Sequence, residues 1–527
     1  MAGHETELNG ERVFALREAI ARAGEAFAEF RSGTGTGAAS PPWDAVVLTS
    51  ATESQAAAAG EELDRRRALG LFPPGCALLA VADPPSGRVG SGGATLLALE
   101  RLAARWLGGT SPDRTSGAVA DLFRTRRVLL IHSGGESQRL PAYAVLGKIF
   151  APLPVLLPQA AGSAIFDWLY LLASAMPGAA GELTVLSGDV LPIFNPVFNP
   201  VHLPLPTAAP LPVRGVALPV PATMGQRFGV YVPDDTGAAR RILQKPTLAQ
   251  MDAAGAVDAT GQVAVDTGIV TVRLPALNAL LDAAGLAAHG GRHVRAGSPL
   301  LPSGGGAAPW DLYRDWLPHL AAEQDTLPES ASDVERRLAD ATAGLAAGVA
   351  MPPEGVFIHL GTSRDFHDAV VGNSPLRHLF PFTSQRDSAI QSGAEISGAF
   401  AGRSLLSRPT RLSRGAVVDH CRAAGVLDVG QDAMASGVDV PVGETLRVAP
   451  GRLCYQTLLA APHHPPTPSP TRREGEPQPG WRRLPSPRVG EGLGVRGTNP
   501  IRGRRRCAPP LARRSHGRSL RRDLTGS

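Results

Sequence analysis

Arg127-Val-Leu-Leu-Ile-His-Ser-Gly-Gly-Glu-Ser-Gln-Arg-Leu-Pro-Ala-Tyr-Ala-Val-Leu-Gly-Lys148-Ile-Phe-Ala-Pro-Leu-Pro154 is the stretch on which the fold turns. Val128 to Ile131 is an uninterrupted apolar run, as expected of a strand buried on both faces of a parallel sheet. Ser133, Gly134 and Gly135 follow directly, where backbone without side-chain cover can offer N–H groups to an anion. Arg139 and Lys148 then flank a turn marked by Pro141. A strand, a Gly-Gly turn and two spaced cations suit a polyphosphate. The stretch is not a Walker A loop, because Ala142 and Ile149 stand where Gly and Ser/Thr are needed. Nor is it a nucleophile elbow, since Ser137 lacks flanking glycines.

Upstream, Val13 to Phe30 reads as an amphipathic helix, Ala45 to Leu48 as a buried strand and Glu53 to Ala68 as a second helix. Ala77 to Ala82 is another apolar strand, followed by a loop containing Gly90-Ser91-Gly92-Gly93 and a helical pattern to Trp106. Strand, Gly-rich loop and helix in that order bring backbone donors and a helix N-terminus to one anion site.

Downstream, a helix over Ser163 to Met176 precedes the strand Leu183-Thr-Val-Leu-Ser-Gly-Asp189. Ligands in open α/β sheets lie outside the carboxyl ends of strands, so Asp189 is a candidate for Mg²⁺, which takes one or two carboxylates plus phosphate oxygens and water. Pro192 to Pro212 reads as a surface excursion, and Ser332 to Gly348 as a linking helix. From Gly355 the pattern changes to short apolar pieces between small-residue turns, which stacked coils of a parallel β-helix fit best. Residues 461–527 hold 12 Pro and 15 Arg with little apolar periodicity and should be disordered.

The motif x-Gly-Gly-x-Ser-x-Arg-Leu-Pro…Gly-Lys…Pro-Leu-Pro resembles the signature of sugar-1-phosphate nucleotidyltransferases. The variant with Ile131-His132 and Leu140-Pro-Ala-Tyr143 resembles the fucose-1-phosphate guanylyltransferases, including the transferase half of bifunctional fucokinase/GDP-fucose pyrophosphorylases. Arg241-Ile-Leu-Gln-Lys245-Pro resembles the family's Glu-Lys-Pro strand, with Gln244 in place of the acid. Val263-Ala-Val-Asp266-Thr267-Gly268 resembles its sugar-facing strand, and Trp310-Asp311-Leu-Tyr-Arg-Asp315 its Asp-Leu-Tyr segment.

The resemblance implies an α/β fold, with a Rossmann-like mixed-sheet transferase domain (1–348) and a β-helix-like domain (349–460); it ends near Ala460, so the tail (461–527) is set by composition alone. The implied substrates are GTP and a sugar 1-phosphate, with Mg²⁺ as cofactor. The Gly90–Gly93 and Gly134–Gly135 backbones would hold the nucleotide, Arg139 the departing pyrophosphate and Lys148 the α-phosphate. Lys245 would hold the sugar phosphate, and Asp266, Thr267 and Gly268 the sugar. Asp189 would bind metal, joined by Asp311 or Asp315 unless both are surface charges. Another sugar or base, or a non-catalytic nucleotide-binding relative, are the alternatives.

Composition agrees with a cytoplasmic enzyme. The chain has 527 residues, enough for two or three domains. The formal charge of +5 misleads, because residues 461–527 set 15 Arg against 4 acidic residues, leaving the body mildly acidic. Neither a nucleic-acid surface nor a membrane span is expected; the tail has one aromatic, Trp481, and no kinase phosphate loop is present. Cys76, Cys421, Cys454 and Cys507 lack CxxC spacing and read as reduced buried thiols. Of 52 basic residues other than histidine, only Lys148 and Lys245 are lysine. Both fall in family motifs, where a compact ammonium can reach a phosphate that a planar guanidinium would crowd.

Overall fold

The computed structural model describes residues 9–33, 40–108, 118–133, 139–144, 146–158, 162–198, 211–286, 300–301, 308–324, 327–371, 374–386, 388–396, 398–407, 409–457 and 504–507. Gly134 and Gly135 lie outside the described residues, as does the tail apart from Arg504–Cys507.

The apolar run of the central stretch forms a strand, β3 (Val128–His132), buried at every position. It is flanked by β1 (Ala45–Ser50) and β4 (Glu182–Ser187), and β1 carries β2 (Ala77–Ala82) on its far side, all four parallel. Helices make the crossovers: α2 (Glu53–Ala68) joins β1 to β2, α3 (Gly90–Trp106) and α4 (Ala118–Arg124) join β2 to β3, and α5 (Ile165–Ala175) lies between β3 and β4. The chain leaves β1 in one direction and recrosses it to reach β3. The β1/β3 carboxyl ends are therefore the switch point at which such sheets open a crevice.

Beyond β4 the sheet becomes mixed. β9 (Gln262–Arg273) runs antiparallel to β4 and β6 (Val213–Pro221), and β10 (Ala347–Ala350) is parallel to β6. β7 (Gly229–Pro233) pairs antiparallel with β8 (Ala239–Gln244) and with β9. The expected first helix, Val13–Phe30, is present as α1 (Gly10–Ser32), started by Asn9 Oδ1 accepting the Arg12 amide at 2.8 Å and ended by Gly33 at φ +65°.

Two expectations need correction. Pro192–Pro212 is not a uniform excursion, because β5 (Val190–Phe194) is a buried strand antiparallel to β11 (Gly355–His359). Pro192 is tolerated in this two-stranded ladder, where a missing donor costs one bond at an edge, and its carbonyl accepts Trp168 Nε1 at 2.7 Å. The linking helix is shorter than read, Asp333–Thr342, and the residues after it enter the main sheet as β10.

After the helices Ser363–Val371 and Pro375–Leu379, short parallel strands stack in three sheets that the chain visits in turn. Gln385, Ala401, Val418, Ala435 and Cys454 lie in register on the first, Ala389, Leu405, Arg422 and Asp439 on the second, and Glu395, Arg411, Asp428 and Arg447 on the third. Small and branched aliphatic side chains such as Ala401, Val418 and Leu427 fill the interior. Other side chains face the first unit: Phe400, Val417, Met434 and Leu453 share one apolar cluster with Tyr143, Phe150 and Phe166. Arg504–Cys507 adds an antiparallel strand to Cys454–Thr457, which departs from uniform disorder in the tail. Cys76, Cys421 and Cys454 are buried, with burial pushing the Cys76 and Cys421 thiols up to about 12; the Cys507 side chain lies outside the described residues. Among the described residues, no helix is long and apolar enough to cross a membrane.

Candidate functional site

Of the predicted residues that are described, Lys148, Asp189 and Asp266–Gly268 gather at the carboxyl edge of the sheet, and the floor there is polar. Thr49 Oγ1, at the end of β1, lies 2.8 Å from His132 Nδ1 at the end of β3, and Thr95 Oγ1 in α3 lies 3.3 Å from His132 Nε2. Burial pushes His132 down to about 4, partly opposed by the Asp311 charge, so the imidazole is neutral near pH 7. Ser133 Oγ donates to the Thr49 carbonyl at 2.6 Å, tying the two strand ends together just before the Gly-Gly turn.

Lys148 stands on a 3₁₀ turn, Lys148–Phe150, entered through Gly147 at φ +87°, a conformation that favours glycine. Its ammonium is nearly inaccessible, the residue being 3% exposed, and donates to the Gly361 carbonyl at 3.3 Å. Burial lowers its pKa; Asp189 and Asp365 oppose that shift and Arg139 adds to it. Arg139 is exposed and within electrostatic range. An ammonium with three protons and, among the described residues, one long carbonyl contact is poised for a stronger acceptor.

Asp189 leaves β4 through Gly188, where a Cβ would lie 2.4 Å from the His132 carbonyl oxygen. Only glycine lets the turn press that closely against β3. Asp189 Oδ1 accepts from Ser187 Oγ at 2.7 Å, whereas Oδ2 lies 3.9 Å from His359 Nε2 and the side chain is 26% exposed. His359 Nδ1 is 3.5 Å from Asp365 Oδ2. The His359–Asp365 segment therefore walls one side of the site: Leu360 N donates to the Asp189 carbonyl, and Ser363 N to that of Arg139. Sequence reading missed His359, Gly361 and Asp365 as site residues. The one available signal was the apolar run Gly355–Ile358 ending in His-Leu-Gly, the same strand-to-glycine form as the central stretch.

Opposite stands Tyr313, whose hydroxyl donates to the Gly268 carbonyl at 3.0 Å. Burial drives its pKa well up, and the charges of Asp266, Asp311 and Asp189 push it further, so three of the predicted carboxylates lie within electrostatic range of this hydroxyl. Burial pushes Asp266 to about 7 against the Gly268 amide, which donates to Oδ1 at 2.8 Å, with Asp311 adding to the rise. Thr267 is fully buried, and its hydroxyl donates to the Val216 carbonyl at 2.7 Å. Gly268, at φ +73°, has no room for a Cβ, which would come within 2.7 Å of Ser187 Cβ. Lys245 lies just beyond β8, exposed and at φ +48°, after Gln244, which pairs with Gly229 beside Asp266.

Asp311 is first a helix cap. Its Oδ1 accepts the amides of Tyr313 and Arg314 at 3.0 and 2.9 Å, and Oδ2 accepts from Ser91 Oγ at 2.8 Å. Asp315 pairs with Arg314 at 2.7 Å and accepts the Asp311 amide. The glycines of the first loop have a packing reason. At Gly90 a Cβ would lie 2.1 Å from the Trp310 carbonyl oxygen, and at Gly92 2.0 Å from the Trp310 ring. Gly93 is buried, with Val89 Cβ 3.0 Å from where its own would be.

Among the described residues no three His, Cys, Asp or Glu side chains form a metal cage. Mg²⁺ shared with phosphates does not need one. Asp189, with Oδ2 open, suits that arrangement better than Asp311, whose two oxygens already serve three protein donors.

A family model described as the fucose pyrophosphorylase domain matches residues 120–461. The chain is 32% identical over 255 residues to the Arabidopsis thaliana bifunctional fucokinase/GDP-fucose pyrophosphorylase, covering 44% of this chain and 24% of that protein. It is 37% identical over 140 residues to the Mus musculus fucose-1-phosphate guanylyltransferase, covering 27% and 21%. The Homo sapiens fucose-1-phosphate guanylyltransferase is 25% identical over 458 residues, covering 80% of this chain and 70% of that protein.

Proposed function

The chain belongs to the fucose pyrophosphorylase family, and from that premise we propose that it forms GDP-L-fucose and pyrophosphate from GTP and L-fucose 1-phosphate. The names of its relatives supply the sugar and the base. The observation that carries the chemistry is the buried Lys148 ammonium, which among the described residues donates to the Gly361 carbonyl and lies within electrostatic range of Asp189 at the carboxyl edge of a parallel sheet.

In this reading a phosphate oxygen of the sugar 1-phosphate attacks the α-phosphorus of GTP in line. The new P–O bond forms as the bond to the bridging β-phosphate oxygen breaks, and pyrophosphate leaves. Such transfer needs alignment and charge neutralisation rather than a protein nucleophile. Lys148 takes the α-phosphate in place of the Gly361 carbonyl, and Arg139 the departing pyrophosphate. The backbones at Gly90–Gly93 and Gly134–Gly135 hold the nucleotide, and Lys245 the sugar phosphate. Asp266, which near pH 7 is present both protonated and ionised, meets the sugar hydroxyls with the Gly268 backbone. Asp189 would hold Mg²⁺, which spreads phosphate charge when bound.

We take residues 1–348 as the transferase domain, Rossmann-like in design, its wall completed by His359–Asp365, and residues 349–460 as a parallel β-helix. The buried, protonated thiols of Cys76 and Cys421 fit a cytoplasmic protein, and we assign it no nucleic-acid or membrane partner. The test is exchange in reverse. With GDP-L-fucose and labelled pyrophosphate the protein should generate labelled GTP in a Mg²⁺-dependent manner, and absence of label at any Mg²⁺ concentration would refute the proposal.

A further inference from the structure

The turn that carries Lys148 is gripped from outside the first unit. Arg403, between the stacked strands Phe400–Gly402 and Leu405–Leu406, donates from Nη2 to the Phe150 carbonyl, the last residue of that turn. On the other side of Phe150 the Arg66 guanidinium lies 4.9 Å from the ring centroid, fixed in turn by Asp167 at 2.7 and 3.0 Å. Arg403 Nε is 3.7 Å from Oδ1 of Asp419, a fully buried carboxylate whose Oδ2 lies 2.7 Å from His420 Nδ1. The approach is close: a Cβ on Gly402 would be 2.7 Å from Asp419 Oδ1 and 3.1 Å from Pro152 Cγ. Ser436 Oγ donates to the Ala142 carbonyl at 3.3 Å, and the Asp419 charge adds to the rise that burial gives the Tyr143 hydroxyl.

Two features say that this cluster does more than hold the units together. Arg403 and His420 sit at φ +43° and +51°, the left-handed corner that Gly437 takes at +63° one coil further on, so two long side chains are kept at a corner that favours glycine. Arg403 Nε and Asp419 Oδ1 are buried and, at 3.7 Å from each other, form an ion pair rather than a hydrogen bond. A buried ion pair is weak as a source of stability, and apolar side chains of similar size often serve as well. Docking is already provided by Phe400, Val417, Met434 and Leu453. What apolar residues cannot supply is a donor to the carbonyl that ends the lysine turn.

We infer that Arg403, held by Asp419, is a positioning residue for Lys148, so that the stacked-strand unit sets the geometry of the transfer site. This rests on the reading in which Lys148 meets the α-phosphate. A displacement of about 1 Å at a reacting centre can cost about a hundredfold in rate.

The test uses the full chain with Asp419→Asn, Arg403→Lys and the joint Arg403→Met/Asp419→Asn variant, which leaves no unpaired buried charge. Pyrophosphate release with GTP and L-fucose 1-phosphate should show kcat reduced about a hundredfold in the joint variant, with both KM values within about threefold. Hydrogen exchange should accelerate at the amides of residues 147–151 while the thermal transition stays within a few degrees. Arg403→Lys keeps the charge beside Asp419 but not the second nitrogen on the Phe150 carbonyl, so it should show the same split. Arg411→Ala, an exposed partner of Glu395, should match the parent. Folded variants with parental kcat and parental exchange at 147–151 would overturn the inference. Should the parent release no pyrophosphate, the proposed function fails while the exchange readout still decides whether the grip exists.

Discussion

Lys148 and Lys245 looked equivalent as the two lysines of an arginine-rich chain, yet their surroundings differ. At 148 the ammonium is buried beside the Gly361 carbonyl and within electrostatic range of Asp189, where a broader guanidinium would crowd its neighbours; Lys148→Arg should cut kcat at least about tenfold, roughly 1.4 kcal/mol, with KM values little changed, in steady-state pyrophosphate release. Lys245 is exposed, and the crowding argument does not extend to it. Lys245→Arg should be mild, whereas Lys245→Ala should raise the KM for sugar 1-phosphate with the GTP KM unchanged. Asp266 gives a pH signature. Its folded-state pKa of about 7 exceeds the ordinary carboxylate value of about 4, so the folded state holds the proton more tightly and stability falls as pH rises between them. Asp266→Asn removes that loss while keeping an acceptor for the Gly268 amide, so melting scans should show it stabilising at pH 8 relative to pH 5.

At the scale of elements, the buried strands were legible where their apolar runs are continuous, as at Val128–Ile131 and Ala77–Ala82, and Leu183–Leu186 was legible with only Thr184 interrupting. Asp189 was legible too, because a Gly-Asp pair at a strand exit points to one edge of the sheet. Long-range closeness was not. Nothing local in the sequence shows that Trp310 presses on Gly90 and Gly92, so those glycines read as phosphate ligands when tertiary packing already demands them. Gly92→Ala should therefore cost about 1–3 kcal/mol in denaturant unfolding by overpacking against the indole, regardless of nucleotide. An unchanged stability would free that glycine for the nucleotide alone. β5 was hidden by its proline, and His359 by lying beyond an apparent change of pattern. Asp189→Asn, at the exit of β4, should fold normally and lose most Mg²⁺-dependent turnover, as measured across a Mg²⁺ titration.

Across the whole molecule, the two units share an apolar cluster, and the site draws residues from both sides of the change in pattern. Turnover should therefore not survive separation of residues 1–348 from the remainder, because Gly361 and Asp365 go with the second part. Ending the chain after Ala460 is a milder cut: it removes one edge strand, Arg504–Cys507, and should leave turnover within a few-fold. The most direct test of nucleotide transfer is pyrophosphate release by the purified full chain with GTP, UTP, CTP and ATP, each against L-fucose 1-phosphate and several other sugar 1-phosphates. GTP with L-fucose 1-phosphate should give the highest kcat/KM, and Lys148→Arg should lower it. Release with none of the pairs, or a preference for another base or sugar, would contradict the assignment.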